Sequence, residues 1–342
     1  MVEEIIEKLL DDNRLNEALK KINLIKKDRF SYFYYMAEIL RMRGLIKKSL
    51  VFFKRSLALA SSNEEKFKSA LKIASLSRTL GDLKTARKHL AIAMKISPSS
   101  LELLMERAMY LRLSERYDDA IEIFNRLKRE YIKKKDIAGI SYILWAEGGM
   151  YRNMGMIKKS IRSFTNALKY AKMIKEPSLE IYSELGLAGS LRIIGKLKES
   201  YLLYSRCIKK IPFHDYFAKG YSYCGTGNAL RQLGNYKAAL RFYRKALSYY
   251  RKTQDRADMA LVLWGMAECY KKIDIKKAYR YIIKAKKLIK GLQEVRGRIL
   301  INLTESHIRY AMGDVERAKK LFNRAVKISI KHKANTLIES FG

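Results

Sequence analysis

Apolar positions recur along the chain with the spacing of one face of an α-helix. A small residue is followed four positions later by a large apolar residue and, three positions after that, by a second small residue, as in Ala239, Tyr243 and Ala246. Offsets of four and three place all three side chains on one stripe of a helix. Small side chains let a neighbouring helix approach closely, and the large one fills the space between the two. The pattern therefore predicts long helices packed side by side.

The same stripe occurs nine times, each time shortly after a turn that most copies mark with glycine, as in LGNY (233–236). Its first small residue is, in order along the chain, Ala18, Ser49, Ala86, Ala120, Ser160, Ser200, Ala239, Ala278 and Ala318. The steps between them are 31, 37 and 34 residues, and then 39 or 40. At 273–275 the sequence IDI replaces the glycine, which leaves the register of residues 271–278 open. Regular internal repeats predict a solenoid, in which each unit buries its apolar face by stacking on its neighbours.

The repeat resembles the tetratricopeptide repeat, a helix–turn–helix unit, over essentially the whole chain. The matching positions are the turn glycine, the small residue after it, the large residue four positions on and the small residue after that. Pro98 and Pro212 stand where copies end, as they do in the family. The longer repeats of the second half are similar to those of kinesin light chains, Partner-of-Inscuteable scaffolds and Rap-type regulators.

The resemblance implies an all-α fold, a right-handed superhelix (α-solenoid) of about nine helix–turn–helix repeats. We expect a single solenoid over residues 1–342. It would hold shorter repeats in 1–134, longer ones in 135–328 and a C-terminal cap in 329–342.

In the tetratricopeptide family the first helix of each repeat lines a concave groove, and the position three before the turn glycine points into it. Six consecutive repeats carry arginine there: Arg41, Arg78, Arg112, Arg152, Arg192 and Arg231. The resemblance implies a row of guanidinium groups that would bind an anionic partner. The alternative is an arginine copied by repeat duplication and simply solvated.

Two further groove positions of the family hold aromatic residues in consecutive repeats, namely Tyr142, Trp145, Tyr182 and Tyr221. They would form an aromatic strip beside the arginines of the second half. Ordinary packing between repeats is the alternative role for these rings. Asn228 matches an asparagine with which the family hydrogen-bonds the backbone of a bound peptide.

The net charge strengthens the case for an anionic partner. Lys and Arg number 71 against 34 Asp and Glu, a formal charge of +37. Such a balance favours acidic protein segments, nucleic acid or an anionic membrane surface. Lysines that merely solvate the outer helix faces would give the same number. The longest apolar run, at 260–267, is too short to span a bilayer. Three scattered cysteines predict reduced thiols in a cytoplasmic protein.

No catalytic constellation is recognisable. The four histidines are scattered without metal-ligand spacing, and neither a phosphate-binding glycine loop nor a nucleophile elbow is present. We therefore expect no enzymatic activity, no metal and no other cofactor.

Together these features predict a protein-interaction scaffold that holds a peptide segment, acidic in character, in a basic and aromatic concave groove. The alternative is single-stranded nucleic acid, in particular RNA, in the same groove, because bases stack on aromatic rings beside phosphate-binding cations. A third option is a regulator of the Rap type that acts on a separate effector protein. The basic stretch 271–290 could lie on a membrane surface, but its apolar residues are already used by the repeat core.

Overall fold

Eighteen α-helices and no strand make up the residues that the computed structural model describes, which are 2–27, 29–292 and 294–332. The odd-numbered helices are α1 Val2–Asp11, α3 Phe30–Met42, α5 Asn63–Thr79, α7 Leu101–Leu113, α9 Ile137–Asn153, α11 Pro177–Ile193, α13 Tyr216–Gln232, α15 Arg256–Lys271 and α17 Val295–Ala311. The even-numbered helices are α2 Leu15–Ile22, α4 Ile46–Leu59, α6 Leu83–Ile96, α8 Tyr117–Lys133, α10 Ile157–Met173, α12 Leu197–Lys210, α14 Tyr236–Thr253, α16 Ile275–Ile289 and α18 Val315–Lys331. The predicted all-α architecture with about nine helical hairpins is confirmed.

The turn between the two helices of a hairpin has a simple chemical basis, which the α13–α14 hairpin illustrates. Gly234 has φ +80°, a left-handed conformation that a side chain disfavours. The next residue, Asn235, caps α14, because its side chain accepts a hydrogen bond from the backbone N–H of Ala238 at 3.3 Å. A glycine followed by a capping residue therefore ends one helix and begins the next.

The turn without glycine, between α15 and α16, uses the same cap in a shorter connection. α15 ends at Lys271 and α16 begins at Ile275. Asp274 caps α16 by accepting a hydrogen bond from the backbone N–H of Lys277 at 3.0 Å. The register of residues 271–278, which the sequence left open, is therefore fixed with Ala278 in the first turns of α16 and fully buried.

The chain divides into two compact units, residues 1–130 (unit 1) and 131–342 (unit 2). Within unit 2 each even-numbered helix packs against the odd-numbered helices before and after it. Successive odd-numbered helices also contact one another, from α9 with α11 to α15 with α17. The odd-numbered helices thus form an inner row and the even-numbered helices an outer row. The shorter-repeat and longer-repeat segments of the sequence analysis remain a prediction about domain organisation.

The repeated stripe forms the core between the rows. Its nine first small residues are all exposed by 4% or less, and eight of the nine large residues are buried. The exception is Phe322, which is 41% exposed on α18, the last helix that the structure describes. The expectation that this residue fills a gap between helices is wrong. The predicted cap in 329–342 falls largely on residues 333–342, which lie outside the described residues.

Glycines on the inner helices make room for the large aromatic rings of the outer helices. A Cβ atom at Gly148 would lie 2.9 Å from the Phe164 ring, and one at Gly186, on the next inner helix, would also overlap that ring. Tyr243 stands in the same way between Gly227 and Gly265. Each of these rings therefore occupies a socket that is formed by two successive hairpins.

Candidate binding face on the inner helices

In unit 1 the structure places two of the predicted arginines in ion pairs with glutamates of the same chain. Arg41 Nη2 lies 2.6 Å from Glu38 Oε2, and Lys72 Nζ lies 2.7 Å from the other oxygen. Arg78 is buried and binds Glu106 of the following inner helix through both Nε and Nη2, the latter at 3.0 Å from Oε2. These two guanidinium groups are already neutralised. Arg112 is half-buried in the last turn of α7.

In unit 2 Arg152 has a different environment. Its guanidinium lies over the Phe164 ring at 5.8 Å, and Nη1 is 3.5 Å from the carbonyl oxygen of Gly186. A Cβ atom at Gly189 would lie 2.6 Å from Nη1, so the glycine leaves the space in which the guanidinium sits. Arg152 forms no ion pair with any carboxylate in the described part of the chain.

The electrostatic surroundings of Arg152 are aromatic hydroxyls rather than carboxylates. Burial works against its charge, but Tyr221 and Tyr204 more than offset this effect and raise the pKa of Arg152. The positive charge of Arg296 on α17 lowers the pKa of Arg152. Arg152 is therefore a fixed cation whose polar neighbours include a second cation and two tyrosines.

The other two arginines of unit 2 are buried and reach residues of later hairpins. Arg192 Nη1 donates to Gln232 Oε1 at 3.1 Å. Arg231 lies over the Trp264 ring at 5.2 Å, with Nη1 4.0 Å from Glu268 Oε2. Its Nε and Nη2 atoms make no hydrogen bond with the described residues. The six arginines thus occupy one repeat position but do not share one environment.

The rings of the predicted aromatic strip are half-buried and fall into two separate groups. Tyr142 packs on Trp145 at 5.4 Å, and Trp145 meets the Tyr182 ring edge-on at 6.1 Å. The Tyr182 hydroxyl donates to Asp215 Oδ2 at 3.0 Å. Tyr221 belongs to the second group, where it stacks on Phe217 at 6.3 Å.

Asn228 is engaged within the chain. Its Oδ1 accepts a hydrogen bond from the Tyr243 hydroxyl at 2.7 Å, and its Nδ2 lies 3.7 Å from Cys224 Sγ. The asparagine that was expected to hydrogen-bond a peptide backbone therefore already uses its amide oxygen within the chain.

The structure adds Asp258, which sequence reasoning missed. It lies in the first turn of α15, half-buried, and burial followed by the charge of Asp255 raises the pKa of Asp258 to about 8. Tyr250 and Arg296 act in the opposite direction. Arg296 of α17 contributes to the pKa of both Asp258 and Arg152, and α17 packs against α15. Asp258 lies outside the groove positions that the family pattern specifies, so the sequence carried no signal for it.

Within the described residues, this face shows neither a metal-ligand cluster nor a thiol with a lowered pKa. Among the described residues no three His, Cys, Asp or Glu side chains come together as metal ligands. Cys207, Cys224 and Cys269 are free thiols. Burial raises the pKa of the Cys224 thiol to about 12. None of the helices in the described segments has both the length and the apolarity needed to cross a membrane.

Two segments match family models of the tetratricopeptide repeat, residues 71–134 and 220–253. The second segment covers most of the α13–α14 hairpin. This chain therefore contains tetratricopeptide repeats. Tetratricopeptide repeats are scaffolds for protein interactions. No curated protein matches the sequence.

Solved structures show the same fold at low identity to this tetratricopeptide protein. A Rap protein complexed with Competence and Sporulation Factor is 11% identical, with a TM-score of 0.63 over 89% of this chain and 98% of that one. The Cut9–Hcn1 hetero-tetramer of APC/C is 14% identical, with a TM-score of 0.57 over 96% of this chain and 74% of that one. The STAND protein PH0952 from Pyrococcus horikoshii, which has a tetratricopeptide repeat sensor, is 15% identical. Its TM-score is 0.56, and the match covers 95% of this chain but only 55% of that one.

Proposed function

We propose that this tetratricopeptide protein is a non-catalytic cytoplasmic scaffold whose inner face in unit 2 binds an acidic segment of another protein. The observation that carries the proposal is Arg152, a half-buried guanidinium that has no carboxylate partner in the described part of the chain. Burying a cation without an anion is unfavourable. A carboxylate that is brought by a partner would supply the missing charge.

The neighbouring groups suit an incoming carboxylate. At an effective dielectric constant near 20, a carboxylate about 4 Å from the guanidinium gains about 4 kcal/mol of Coulomb energy before desolvation. Tyr204 and Tyr221 bring their hydroxyls towards Arg152, and a hydroxyl can donate to the same anion.

The aromatic rings near Arg152 indicate that the bound carboxylate belongs to a polypeptide. Tyr142, Trp145 and Tyr182 form a continuous ring surface on α9 and α11, the helices that hold Arg152 and Arg192. Such a surface offers apolar contact to side chains that flank a carboxylate. The similar Rap protein was solved in complex with Competence and Sporulation Factor, so a solenoid of this fold does hold a binding partner.

The test uses an Arg152→Ala, Arg192→Ala double variant and synthetic peptides rich in Asp and Glu, with Asn and Gln versions of the same peptides as the neutral set. We expect the wild type to prefer the acidic set and the double variant to bind it about ten-fold or more weakly, since charge-assisted bonds contribute about 1.5–3 kcal/mol each. Arg241→Ala, which removes a charge from the exposed face of α14, is the control. Equal affinity of the double variant and the wild type would remove the inner arginines from the binding site.

For single-stranded nucleic acid in this same groove we find no specific support. Arg192 and Arg231 are buried and contact side chains of their own chain, and the Tyr182 hydroxyl is held by Asp215. Nucleic acid in the groove therefore stays a prediction from the sequence.

A further inference from the structure

Five aromatic rings follow one another in contact across the α13–α14 hairpin, on a face that the proposed peptide site does not use. We name them the aromatic row, and in spatial order they are Phe213, Tyr216, Tyr249, Tyr223 and Phe242. Successive ring centroids are 6.4, 6.3, 5.5 and 6.1 Å apart. Phe213 is 79% exposed, and the other four rings are partly exposed.

The row is separate from the inner face. On α13, Tyr216 and Tyr223 are seven residues apart and so lie on one line along the helix. At about 100° per residue, Tyr221 and Asn228 lie more than 100° around the helix from that line. The two surfaces can therefore be altered independently.

Lysines flank the row without a counter-charge. Lys252 Nζ lies 4.7 Å from the centre of the Tyr216 ring and 5.5 Å from that of Tyr249, and Lys245 Nζ lies 5.5 Å from that of Tyr223. Neither lysine pairs with a carboxylate of the described residues. α14 carries six basic residues and no acidic one.

The next hairpin extends the same combination. Tyr270 and Tyr281 stack at 5.1 Å with an interplanar angle of 12°, and Lys284 Nζ lies 5.7 Å from the Tyr281 ring. Tyr281 and Lys284 stand three and six positions after Ala278, as Phe242 and Lys245 do after Ala239. α16, like α14, has six basic residues and no acidic one.

These ring and cation positions are not a constant part of the repeat. In unit 1 they recur as Phe52 and Arg55, where the Arg55 guanidinium lies 5.7 Å from the Phe33 ring. The four repeats between, however, hold His89, Ile123, Ser163 and Leu203 at the ring position. The combination in the two consecutive hairpins α13–α14 and α15–α16 is therefore a feature of this part of the chain and not of every repeat.

From this arrangement we infer that the aromatic row binds single-stranded nucleic acid, with bases against the rings and phosphates at Lys245 and Lys252. Every base has a π-face, so aromatic rings bind strands of mixed sequence, and a chain of phosphates needs cations beside the rings at intervals. An acidic protein segment would use the cations, but Lys245 and Lys252 lie beside three of the five rings, which suits a strand in which bases and phosphates alternate. An anionic membrane would attract the lysines, but it would not require a continuous series of rings in contact with one another.

The experiment measures fluorescence anisotropy of the full-length protein with a labelled mixed-sequence single-stranded RNA and the same strand as DNA, over a range of salt concentrations. In Lys245→Gln, Lys252→Gln we expect weaker binding and a salt slope that is smaller by about 1.4, since each phosphate contact on a single strand contributes about 0.7. In Tyr223→Leu, Tyr249→Leu we expect binding about ten-fold weaker with the slope unchanged, because stacking is not ionic.

Two matched controls separate the row from general charge and exposed aromatic area. Lys169→Gln, Lys172→Gln removes two exposed lysines from α10, and Tyr310→Leu removes a ring that is 68% exposed on α17. Both should bind within about two-fold of the wild type. Circular dichroism checks folding, and the lysine variant keeps the test valid if the tyrosine variant fails to fold.

Three results would overturn the inference. They are no binding of RNA or DNA by the wild type, row variants that bind like the wild type, and controls that lose as much affinity as the row variants. Binding to phosphatidylserine vesicles in place of nucleic acid would overturn it too. Preference for RNA over DNA, or equal binding of both, supports the inference, and the comparison shows whether the 2′-hydroxyl contributes to binding.

Discussion

Asp258 illustrates how the inner face of unit 2 shapes the behaviour of a single residue. Its carboxyl group is half-buried. Burial, Asp255 and Glu294 raise its pKa, while Tyr250 and Arg296 lower it. Burial and the neighbouring carboxylates dominate, so the proton stays on at a pH where an ordinary aspartate has lost it. The residue therefore couples protonation to folding.

We expect stability to fall as the pH rises from about 4 to about 8, because over that interval folded Asp258 keeps a proton that the unfolded chain has released. Above about pH 8 this contribution is constant. Asp258→Asn should remove the fall and be more stable than the wild type at about pH 9. Urea unfolding at several pH values measures the effect.

The matched control for Asp258 is Asp118→Asn, which changes an exposed carboxylate on α8. Its pH dependence should follow that of the wild type. A wild type and an Asp258→Asn variant with parallel stability profiles between about pH 5 and about pH 9 would contradict the raised pKa.

At the scale of the helices, the socket around Phe164 joins two hairpins. The ring fills space against Gly148 of its own hairpin and Gly186 of the next. A methyl group at residue 186 would occupy the position of ring carbons that are buried and have little room to move. Packing between repeats therefore depends on the absence of a side chain as much as on the presence of a ring.

Gly186→Ala should destabilise the protein by about 2 kcal/mol. Alanine gains about 1 kcal/mol of helix propensity, but overpacking at a buried ring costs about 3 kcal/mol. Phe164→Leu frees the space, so Gly186→Ala should cost much less in that background. The double-mutant cycle by urea denaturation provides the control, and equal costs of Gly186→Ala in both backgrounds would argue against the socket.

The helical elements and their core could be predicted from the sequence because the pattern reports them directly. A stripe with offsets of four and three specifies which face of a helix is buried, and Ala239, Tyr243 and Ala246 are all buried. The socket glycines were not predicted, although they recur at fixed positions in the repeat, and the aromatic row was not predicted either. Such contacts run between helices, and their direction depends on helix rotation.

The site could be predicted only in part, for a related reason. The repeat position of Arg78 and Arg152 is the same, and the family pattern treats them alike. Their partners, however, lie on later helices: Glu106 is 28 residues after Arg78, while Arg152 meets a glycine carbonyl 34 residues on. Which side chain meets which across two hairpins depends on packing geometry that one sequence does not specify.

At the scale of the whole molecule, much of the positive charge lies on the outer helices. On α14 the residues Lys237, Arg241 and Lys245 follow one another at intervals of four, and on α16 Lys276, Arg280 and Lys284 do the same. All six side chains are exposed to solvent. Like charges four residues apart on a helix repel each other.

We expect the thermal midpoint to rise as sodium chloride screens this repulsion between about 0.01 M and about 0.3 M. Arg241→Glu, Arg280→Glu converts four repelling pairs into attracting ones, worth about 0.2–0.5 kcal/mol each in either sense. The variant should therefore melt higher at low salt and respond less to added salt. Scanning calorimetry at matched concentrations measures both quantities.

Sucrose in place of salt serves as the control, because it raises stability by exclusion rather than by screening. It should shift the wild type and the variant by similar amounts. A wild-type midpoint that falls with salt, or a variant with the same salt response as the wild type, would show that outer charge repulsion is a minor factor.

The ring sockets bear on how such a chain can change length over evolutionary time. Gly186 and Gly225 both stand nine residues before their turn glycine, and each receives the ring of the preceding outer helix. If the segment between them were lost in register, Phe164 would meet Gly225 in the same kind of joint that it makes with Gly186. The gene could then gain or lose whole hairpins without a new kind of boundary between them, and the number of repeats would be free to vary.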